Sequence, residues 1–393
     1  MTVKNHTPVY LDTEAAVAGF VSSIAPDVRR DDGGGLALDT EGASFHRFTD
    51  RIYLLQLSTR NRTAIIDPLP LGSIPDLGAL VQDPAVEVVF HDADYDLRLL
   101  HQDYGWRVAN IFDTRIAAQL LGLKAFGLAA LLERYFGVKL NKKHQRADWS
   151  LRPLTPGMLD YAALDTMHLL GLRDIMRSEL ERAGRLGWAE EEFARLEGTR
   201  WDEDRADRTD GFLRMKGARD LTRRELAVLR EIVAWRDEVA ASLDRATFRV
   251  IGNEALLEIA RRVPGTREAL RELKGVPRGI LEGRGSDLLA AVARGREVPE
   301  DALPRFPRAP RWDRDPDFDA RAACLRTVRD EAARRLELDP GVLCSRERLE
   351  AIARRKPETL DEIAQVDGMR RWQASELGGD FLAALSPSPY RAG

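Results

Sequence analysis

The sequence predicts an α/β domain followed by two copies of a small helical module. Short apolar runs of strand length alternate with helix-like periodicity over about the first 180 residues. Beyond that region, a helical segment recurs at a constant offset of 93 residues (347 − 254), which indicates two copies of one unit. The chain of 393 residues is 44% hydrophobic, so it has room for several domains with apolar cores.

The first predicted strand ends in two acidic residues. An apolar run beginning at Leu36 closes on Asp39-Thr-Glu41. Because side chains alternate between the faces of a strand, Asp39 and Glu41 point the same way. Two like charges on one face disfavour an ordinary sheet, but Mg²⁺ or Mn²⁺, which prefer oxygen ligands, would remove that penalty. Taken alone, the pair also fits a polar strand end that enters a turn before Gly42.

Three further strands follow in the predicted domain. They span residues 51–58, 63–66 and 87–90, and the first two should pair with the strand that ends at Asp39. The helix after the last of them offers Asp96 beside a run of leucines. Asp92 and Asp94 lie close by, and composition alone does not choose among these three acids.

A later helix carries a tyrosine and an aspartate on one face. Thr155-Pro156 predicts an N-cap followed by proline in the first turn. Tyr161 and Asp165 are four residues apart in the helix that follows, so they share a face. That face is otherwise apolar, and an unpaired buried carboxylate is unfavourable there. Asp165 is therefore a candidate ligand or catalytic residue.

These motifs, in this order, resemble the ribonuclease D family of DEDD 3′–5′ exonucleases, in its tyrosine subclass. The matching segments are residues 39–41, 91–96, 113–114, 147–149 with 152–154, and 161–165. The resemblance runs from about residue 30 to residue 175, and it implies a ribonuclease H-like α/β fold with a mixed sheet flanked by helices. Gly42 departs from the family pattern, because many relatives carry a bulkier residue there. Any substrate contact by that side chain is therefore in question.

The resemblance also implies a mechanism with two divalent cations, Mg²⁺ or Mn²⁺, that clamp the scissile phosphate. Asp39 would bridge both ions, while Glu41 and Asp165 would hold the first. Asp96 would hold the second ion, partly through water. Tyr161 would orient the attacking water, since an unperturbed tyrosine pKa near 10 makes the phenol a poor base at neutral pH. The product would be a nucleoside 5′-monophosphate released from a 3′ end.

Two groups of residues are candidate substrate contacts. Gln56 and His91 would face the terminal nucleotide in one interpretation and would be satisfied core polar groups in the other. A basic segment lies just before the helix of Tyr161, with Lys139, Lys142, Lys143, Arg146 and Arg152 against a single Asp148. Such a run is usually a solvated face, but its position makes it a candidate cradle for RNA phosphates.

The repeat resembles the HRDC domain, a helical bundle that ribonuclease D shares with RecQ-type helicases. We expect an exonuclease domain with a helical connector over residues 1–200, a first HRDC-like domain over 212–295 and a second over 312–386. Residues 214–296 hold 18 Lys and Arg against 12 Asp and Glu, a net charge of +6, whereas residues 313–381 hold 13 against 16, a net of −3. Phosphate binding therefore falls more naturally to the first copy.

Several features restrict the location and class of the protein. Two cysteines and the absence of a charged-then-apolar leader predict a reducing cytoplasm. No run approaches the roughly 18 apolar residues of a membrane span, so we expect no membrane partner. No Gly-x-x-x-x-Gly-Lys-Ser/Thr loop occurs, which excludes a helicase and predicts no nucleotide cofactor. The net charge of −4 means that any attraction for nucleic acid must be local.

The sequence thus predicts a cytoplasmic, metal-dependent 3′–5′ exoribonuclease that trims the 3′ ends of structured RNA, with tRNA precursors as the substrate that the resemblance suggests. A 3′–5′ exodeoxyribonuclease is the nearest alternative, because nothing readable here senses a 2′-hydroxyl. An inactive RNA-binding scaffold is the alternative from another class.

Overall fold

A computed structural model of the chain describes residues 7–29, 33–140, 142–202, 210–307 and 315–386, except for the side chain of Lys142. The strands are β1 (Val9–Leu11), β2 (Leu36–Glu41), β3 (Leu54–Ser58), β4 (Thr63–Ile66), β5 (Val88–Phe90) and β6 (Ile111–Asp113). Among the described residues they form one six-stranded sheet in the order β1-β4-β3-β2-β5-β6. Strand β3 runs antiparallel to both of its neighbours, and the remaining pairs are parallel. The predicted mixed sheet is therefore confirmed.

Two details of the strand prediction are wrong. The strand expected over residues 51–58 begins only at Leu54. Strand β4 was expected to pair with β2, but it pairs instead with β3 and β1. The short connection between β3 and β4 makes them hairpin neighbours, and the two edges of β2 are already occupied by β3 and β5.

Helices cover both faces of this sheet. The helices of this part of the chain are α1 (Glu14–Val28), α2 (Pro75–Val81), α3 (Asp94–Tyr104), α4 (Thr114–Leu120), α5 (Leu128–Phe136), α6 (Pro156–Met167), α7 (Leu169–Arg182) and α8 (Leu186–Leu196). Leu36 and Leu38 of β2 pack on the face shared with α1 to α3. Ala37, between them, points to the opposite face, which α4 to α8 cover. Because Asp39 and Glu41 continue the alternation of Ala37, they lie on the face under α6.

Helix α6 is positioned by its own N-cap and by one polar contact with the sheet. Thr155 accepts a hydrogen bond from the Met158 amide at 3.3 Å, as the sequence predicts, and Pro156 occupies the first turn. At the other end, the Thr166 hydroxyl lies 2.7 Å from that of Ser58 in β3. These two anchors fix which face of α6 looks down on β2.

The two repeats form helical modules with corresponding elements. The first contains α9 (Arg223–Ser242), α10 (Thr247–Val250), α11 (Asn253–Arg262), α12 (Arg267–Arg271) and α13 (Arg278–Glu297). The second contains α14 (Phe318–Leu336), α15 (Pro340–Leu343), α16 (Arg346–Arg355), α17 (Leu360–Ala364) and α18 (Arg371–Leu385). Helices α10, α11, α12 and α13 begin 93 residues before α15, α16, α17 and α18 respectively, so the offset read from the sequence is the structural repeat. Short 3₁₀ turns span Lys142–His144, Gly211–Arg214, Ala218–Asp220 and Glu300–Ala302.

The two modules relate differently to the α/β domain. The first has a core of its own, whereas the second shares a continuous core with the α/β domain. Trp188 of α8 stacks on Trp372 of α18 with ring centroids 4.6 Å apart. Glu191 accepts hydrogen bonds from the Arg371 and Trp372 amides at the start of α18. The helical connector predicted from the sequence is thus also a docking surface. Residues 312–314 of the expected second domain lie outside the described residues.

Candidate active site

Three carboxylates converge where β2 passes beneath α6. Asp39 and Glu41 come from the end of β2, and Asp165 descends from α6. One oxygen atom from each of the three lies within 4.8 Å of the others. Asp165 is only 8% exposed, so the oxygens face inward at this end of the sheet. The strand alternation and the helix register predicted from the sequence therefore bring these side chains together.

Asp96 approaches the same strand from the other side. It lies in the first turn of α3 and is 5% exposed. Its Oδ1 accepts hydrogen bonds from the Thr40 backbone amide at 3.0 Å and from the Thr40 hydroxyl at 2.5 Å. Thr40 points away from Asp39 and Glu41, so the fourth carboxylate is held beside the other three rather than among them.

The electrostatics of the four acids favour a bound cation. Burial raises the pKa of Asp39, Glu41 and Asp96 well above the usual range, and repulsion from the neighbouring carboxylates adds to it. Burial likewise raises the pKa of Asp165 to about 7. Among the described residues, the effects that lower these pKa values come from hydrogen bonds of Thr40, of the Asp96 amide and of Tyr161, and not from a Lys or Arg. A divalent cation would supply the missing positive charge and keep the carboxylates ionised.

Gln56 supports the same conclusion. It pairs with Asp39 across the β2–β3 ladder, so both side chains lie on the same face. Gln56 is 0% exposed, and within the described residues neither atom of its amide has a hydrogen-bond partner. Such a buried group normally has an ion, water or ligand nearby. The oxygen donors and this amide therefore fit a hydrated divalent metal.

Tyr161 lies over the acidic cluster from one turn before Asp165. Its hydroxyl is hydrogen-bonded to the Asp165 carboxylate, and burial followed by the nearby carboxylates raises the pKa of the phenol above its ordinary value. The ring lies beside Trp149 and His144, with centroids 6.1 and 6.2 Å away. Tyr161 therefore remains a protonated hydrogen-bond donor at neutral pH.

The residues predicted to contact substrate differ from one another in burial and in hydrogen bonding. The Nδ1 atom of His91 lies 2.9 Å from the Thr114 hydroxyl, and burial lowers its pKa to about 4, so the ring is neutral at physiological pH. Arg146 and Lys143 are exposed, and the side chain of Lys142 lies outside the described part of the chain.

Arg152 has a different environment from the other basic residues. Its N–H groups donate to both oxygens of Asp67 and to the backbone carbonyls of Tyr53, Trp149 and Leu151. Every N–H that a guanidinium offers is thereby engaged. This geometry argues against Arg152 as a phosphate ligand and favours a role in holding the segment before α6 against the sheet.

Sequence reasoning missed two residues that shape the site. Thr40 lies between Asp39 and Glu41 in the sequence and was not singled out. Because side chains alternate along a strand, its position on the opposite face could have indicated a separate role. Asp113 accepts hydrogen bonds from the Asp92 and Ala93 amides and also caps α4. It thereby fixes the turn from which α3 and Asp96 start.

Two observations bear on the expectations about location. The two cysteines are free thiols. Within the described residues, no helix is both long enough and apolar enough to cross a membrane.

Comparison with known proteins agrees with this site. A family model described as a 3′–5′ exonuclease matches residues 27–181, and the HRDC domain model matches residues 225–292 and 318–385. Ribonuclease D of Granulibacter bethesdensis is 34% identical over 353 residues, which cover 88% of this chain and 86% of that protein. Ribonuclease D of Gluconacetobacter diazotrophicus is 31% identical over 379 residues, covering 96% of this chain and 92% of that protein.

Solved structures show the same architecture. A protein from Bifidobacterium adolescentis matches with a TM-score of 0.82 at 26% identity, over 96% of this chain and 97% of that one. RNase D of Escherichia coli, described as an exoribonuclease involved in structured RNA processing, matches with a TM-score of 0.71 at 25% identity, over 97% of this chain and 99% of that one. These relatives favour a ribonuclease over a deoxyribonuclease or an inactive scaffold, and the exonuclease fold with its carboxylate cluster implies the use of divalent metal. The chain therefore belongs to the ribonuclease D family and is a 3′–5′ exoribonuclease.

Proposed function

We propose that this exoribonuclease holds two divalent cations, Mg²⁺ or Mn²⁺, and trims the 3′ ends of structured RNAs in the cytoplasm, tRNA precursors among them. The proposed metal ligands are Asp39, Glu41, Asp96 and Asp165. Three carboxylates, Asp165 buried and Asp39 and Glu41 half-buried, converge within 4.8 Å, and among the described residues no Lys or Arg lowers their pKa values. This convergence is the observation that carries the proposal.

Two sets of ligands would hold the two cations. Asp39, Glu41 and Asp165 offer oxygen atoms within 4.8 Å of one another, so they would hold one cation together. Asp96 is kept apart by Thr40 and would contribute to a second site shared with Asp39. When bound, cations in such a centre activate water and stabilise the leaving oxygen.

The remaining chemistry falls to residues of the chain. Tyr161, as a half-buried donor above the cluster, would orient the water that attacks the terminal phosphorus. A new P–O bond forms to that water while the bond from phosphorus to the 3′ oxygen of the preceding nucleotide breaks. That oxygen takes up a proton to become a new 3′-hydroxyl. The released product is a nucleoside 5′-monophosphate.

The preference for structured RNA has two supports. The RNase D of Escherichia coli, which resembles this chain along its whole length, is described as acting in structured RNA processing. In this chain, the first helical module has a net charge of +6 and contacts the loop after Glu41, so it could hold a folded RNA body near the site.

Degradation of matched oligonucleotides tests the proposal. We expect the full-length protein to release nucleoside 5′-monophosphates from RNA with a free 3′ end, in the presence of Mg²⁺ or Mn²⁺, and to stop when a chelator is added. RNA with a blocked 3′ end and DNA of the same sequence are the controls. Faster cleavage of the DNA, or release of internal fragments, would contradict the proposal.

A further inference from the structure

Two exposed phenylalanines lie together at the junction of the α/β domain and the first helical module. Phe45 and Phe248 are 45% and 52% exposed, large fractions for apolar rings. Their centroids are 6.3 Å apart in an edge-to-face arrangement. The guanidinium of Arg146 lies 5.1 Å from the centre of the Phe45 ring. Arg146, Phe45 and Phe248 thus form a row, which we name the aromatic platform.

The platform is held by hydrogen bonds between the two domains, each of which involves a backbone group. Arg249 donates a hydrogen bond to the Phe45 carbonyl at 2.5 Å. The Ala246 amide donates to the His46 carbonyl at 3.1 Å, and the Phe48 amide donates to Asp244 at 3.2 Å. The two rings are therefore presented by a junction between the loop after β2 and the segment that includes α10.

The platform also lies near the catalytic centre. Phe45 follows Glu41 by four residues, so its Cα lies at most about 14 Å from that of Glu41. The segment that supplies Arg146 also supplies His144 and Trp149, whose rings flank Tyr161. The platform is therefore within reach of an RNA strand whose 3′ end lies at the cluster, a few nucleotides upstream.

The chemistry of the platform suits unpaired bases. Bases stack on aromatic rings and on arginine guanidinium planes, and such stacking tolerates any sequence because every base has a π-face. The segments that supply the platform also carry exposed cations, among them Lys143, Arg245 and Arg249, which would attract the phosphates of the same strand. We propose that the aromatic platform binds unpaired bases of the RNA 3′ tail upstream of the scissile phosphate. This inference rests on the proposed function.

Substitutions in the full-length protein test the platform. We expect Phe248→Leu and Phe45→Leu, which keep apolar contacts but remove the π-faces, to raise the KM for a 12-nucleotide RNA on the order of 5- to 100-fold. The ratio of variant to wild-type KM should fall toward one as the RNA is shortened to two nucleotides. Phe248→Trp should retain wild-type KM, since it keeps a stacking face. Leu243→Ala is the matched control, because it removes an exposed apolar side chain from the end of α9, five residues before Phe248, without removing a ring.

A scan with single abasic nucleotides tests the inference without altering the protein. One or two positions upstream of the 3′ end should raise the wild-type KM, and the same positions should have little further effect in Phe248→Leu. A flat scan, or equal losses for Phe248→Leu and Phe248→Trp, would overturn the platform. If the wild-type protein releases no nucleotides from any RNA, the proposed function fails; if it releases them and the scan is flat, only the platform fails.

Discussion

Thr40 lies between two acids in the sequence but acts on a third. Its side chain points to the face opposite Asp39 and Glu41, and its hydroxyl and amide both bind Asp96. Thr40→Val keeps the shape and the amide bond but removes the hydroxyl, so Asp96 should lose its orientation toward the metal site. We expect kcat to fall roughly 10- to 100-fold, the weight of one hydrogen bond to a charged group. Thr327→Val, which removes a surface hydroxyl in α14, should leave kcat unchanged, and equal rates for both variants would contradict the role of Thr40.

Asp39 has the most central place among the proposed ligands. Asp39→Asn removes one negative charge but keeps the side-chain size, so cleavage should be almost abolished while RNA binding remains nearly intact. Product release and fluorescence anisotropy with the same RNA measure the two properties. Asp160→Asn, on the exposed side of α6, is the control. A folded Asp39→Asn protein with substantial kcat would falsify the assignment.

Tyr161→Phe separates orientation of water from packing of the ring. The ring contacts with Trp149 remain, so the free energy of unfolding should change little. Loss of the hydroxyl should reduce kcat by about 10²- to 10⁴-fold, the usual contribution of one positioned proton-handling group. Tyr135→Phe removes a comparable hydrogen bond to Glu179 away from the site and should retain wild-type kcat. A normal rate for Tyr161→Phe would show that the hydroxyl has no catalytic role.

At the scale of elements, features that depend on neighbouring residues could be predicted from the sequence. The packing of segments that are distant in the chain could not. The cap at Thr155 and the alternation that puts Asp39 and Glu41 on one face depend on near neighbours in the chain. The choice of Asp96 over Asp92 and Asp94 depends on where α3 starts relative to β2. That position is set by contacts of Asp113 and Thr40 with residues distant in sequence. The family resemblance, and not composition, identified Asp96.

Both modules use an equivalent loop to contact the α/β domain. Asp244 and Glu337, separated by the same offset of 93 residues, both have a left-handed backbone, with φ of 42° and 55°. Asp244 accepts a hydrogen bond from the Phe48 amide. The carbonyl of Glu337 lies against Gly122, at the end of α4. The sequence shows the repeat but not this shared contact, because the partner surfaces differ.

Gly122→Ala tests the contact made by the second module. Gly122 has a φ of +75°, and a Cβ there would lie 2.2 Å from the Glu337 carbonyl oxygen. Gly137→Ala is a matched control, since Gly137 has a φ of +69° and nothing within 4 Å. Both changes strain the backbone by about 1 kcal/mol, but only Gly122→Ala should displace Glu337. We expect a larger loss in the free energy of unfolding for Gly122→Ala, measured by urea titration, and equal losses would contradict this docking contact.

At the scale of the molecule, the second module is a part of the catalytic body. Its core is continuous with that of the α/β domain, and Glu192 binds both Arg370 and the Trp372 indole. These contacts lie at the first turn of α18. Nothing in the local sequence of α8 distinguished such contacts from a solvated acidic helix, because its glutamates acquire partners about 180 residues away in the chain.

The charge difference between the modules predicts how RNA binding depends on salt. Arg261 and Arg262 of the first module correspond, by the repeat offset, to Arg354 and Arg355 of the second, and all four are exposed. If phosphates bind the module of net charge +6, changing both arginines of the first pair to Gln should reduce the slope of log Kd against log salt. The expected reduction is about 0.7 to 0.9 for each phosphate that the module no longer binds. The same changes in the second pair should leave the slope unaltered. Anisotropy titrations with one structured RNA at several salt concentrations measure both slopes. A greater reduction for the second pair would show that the acidic module, despite its net charge of −3, binds the RNA phosphates.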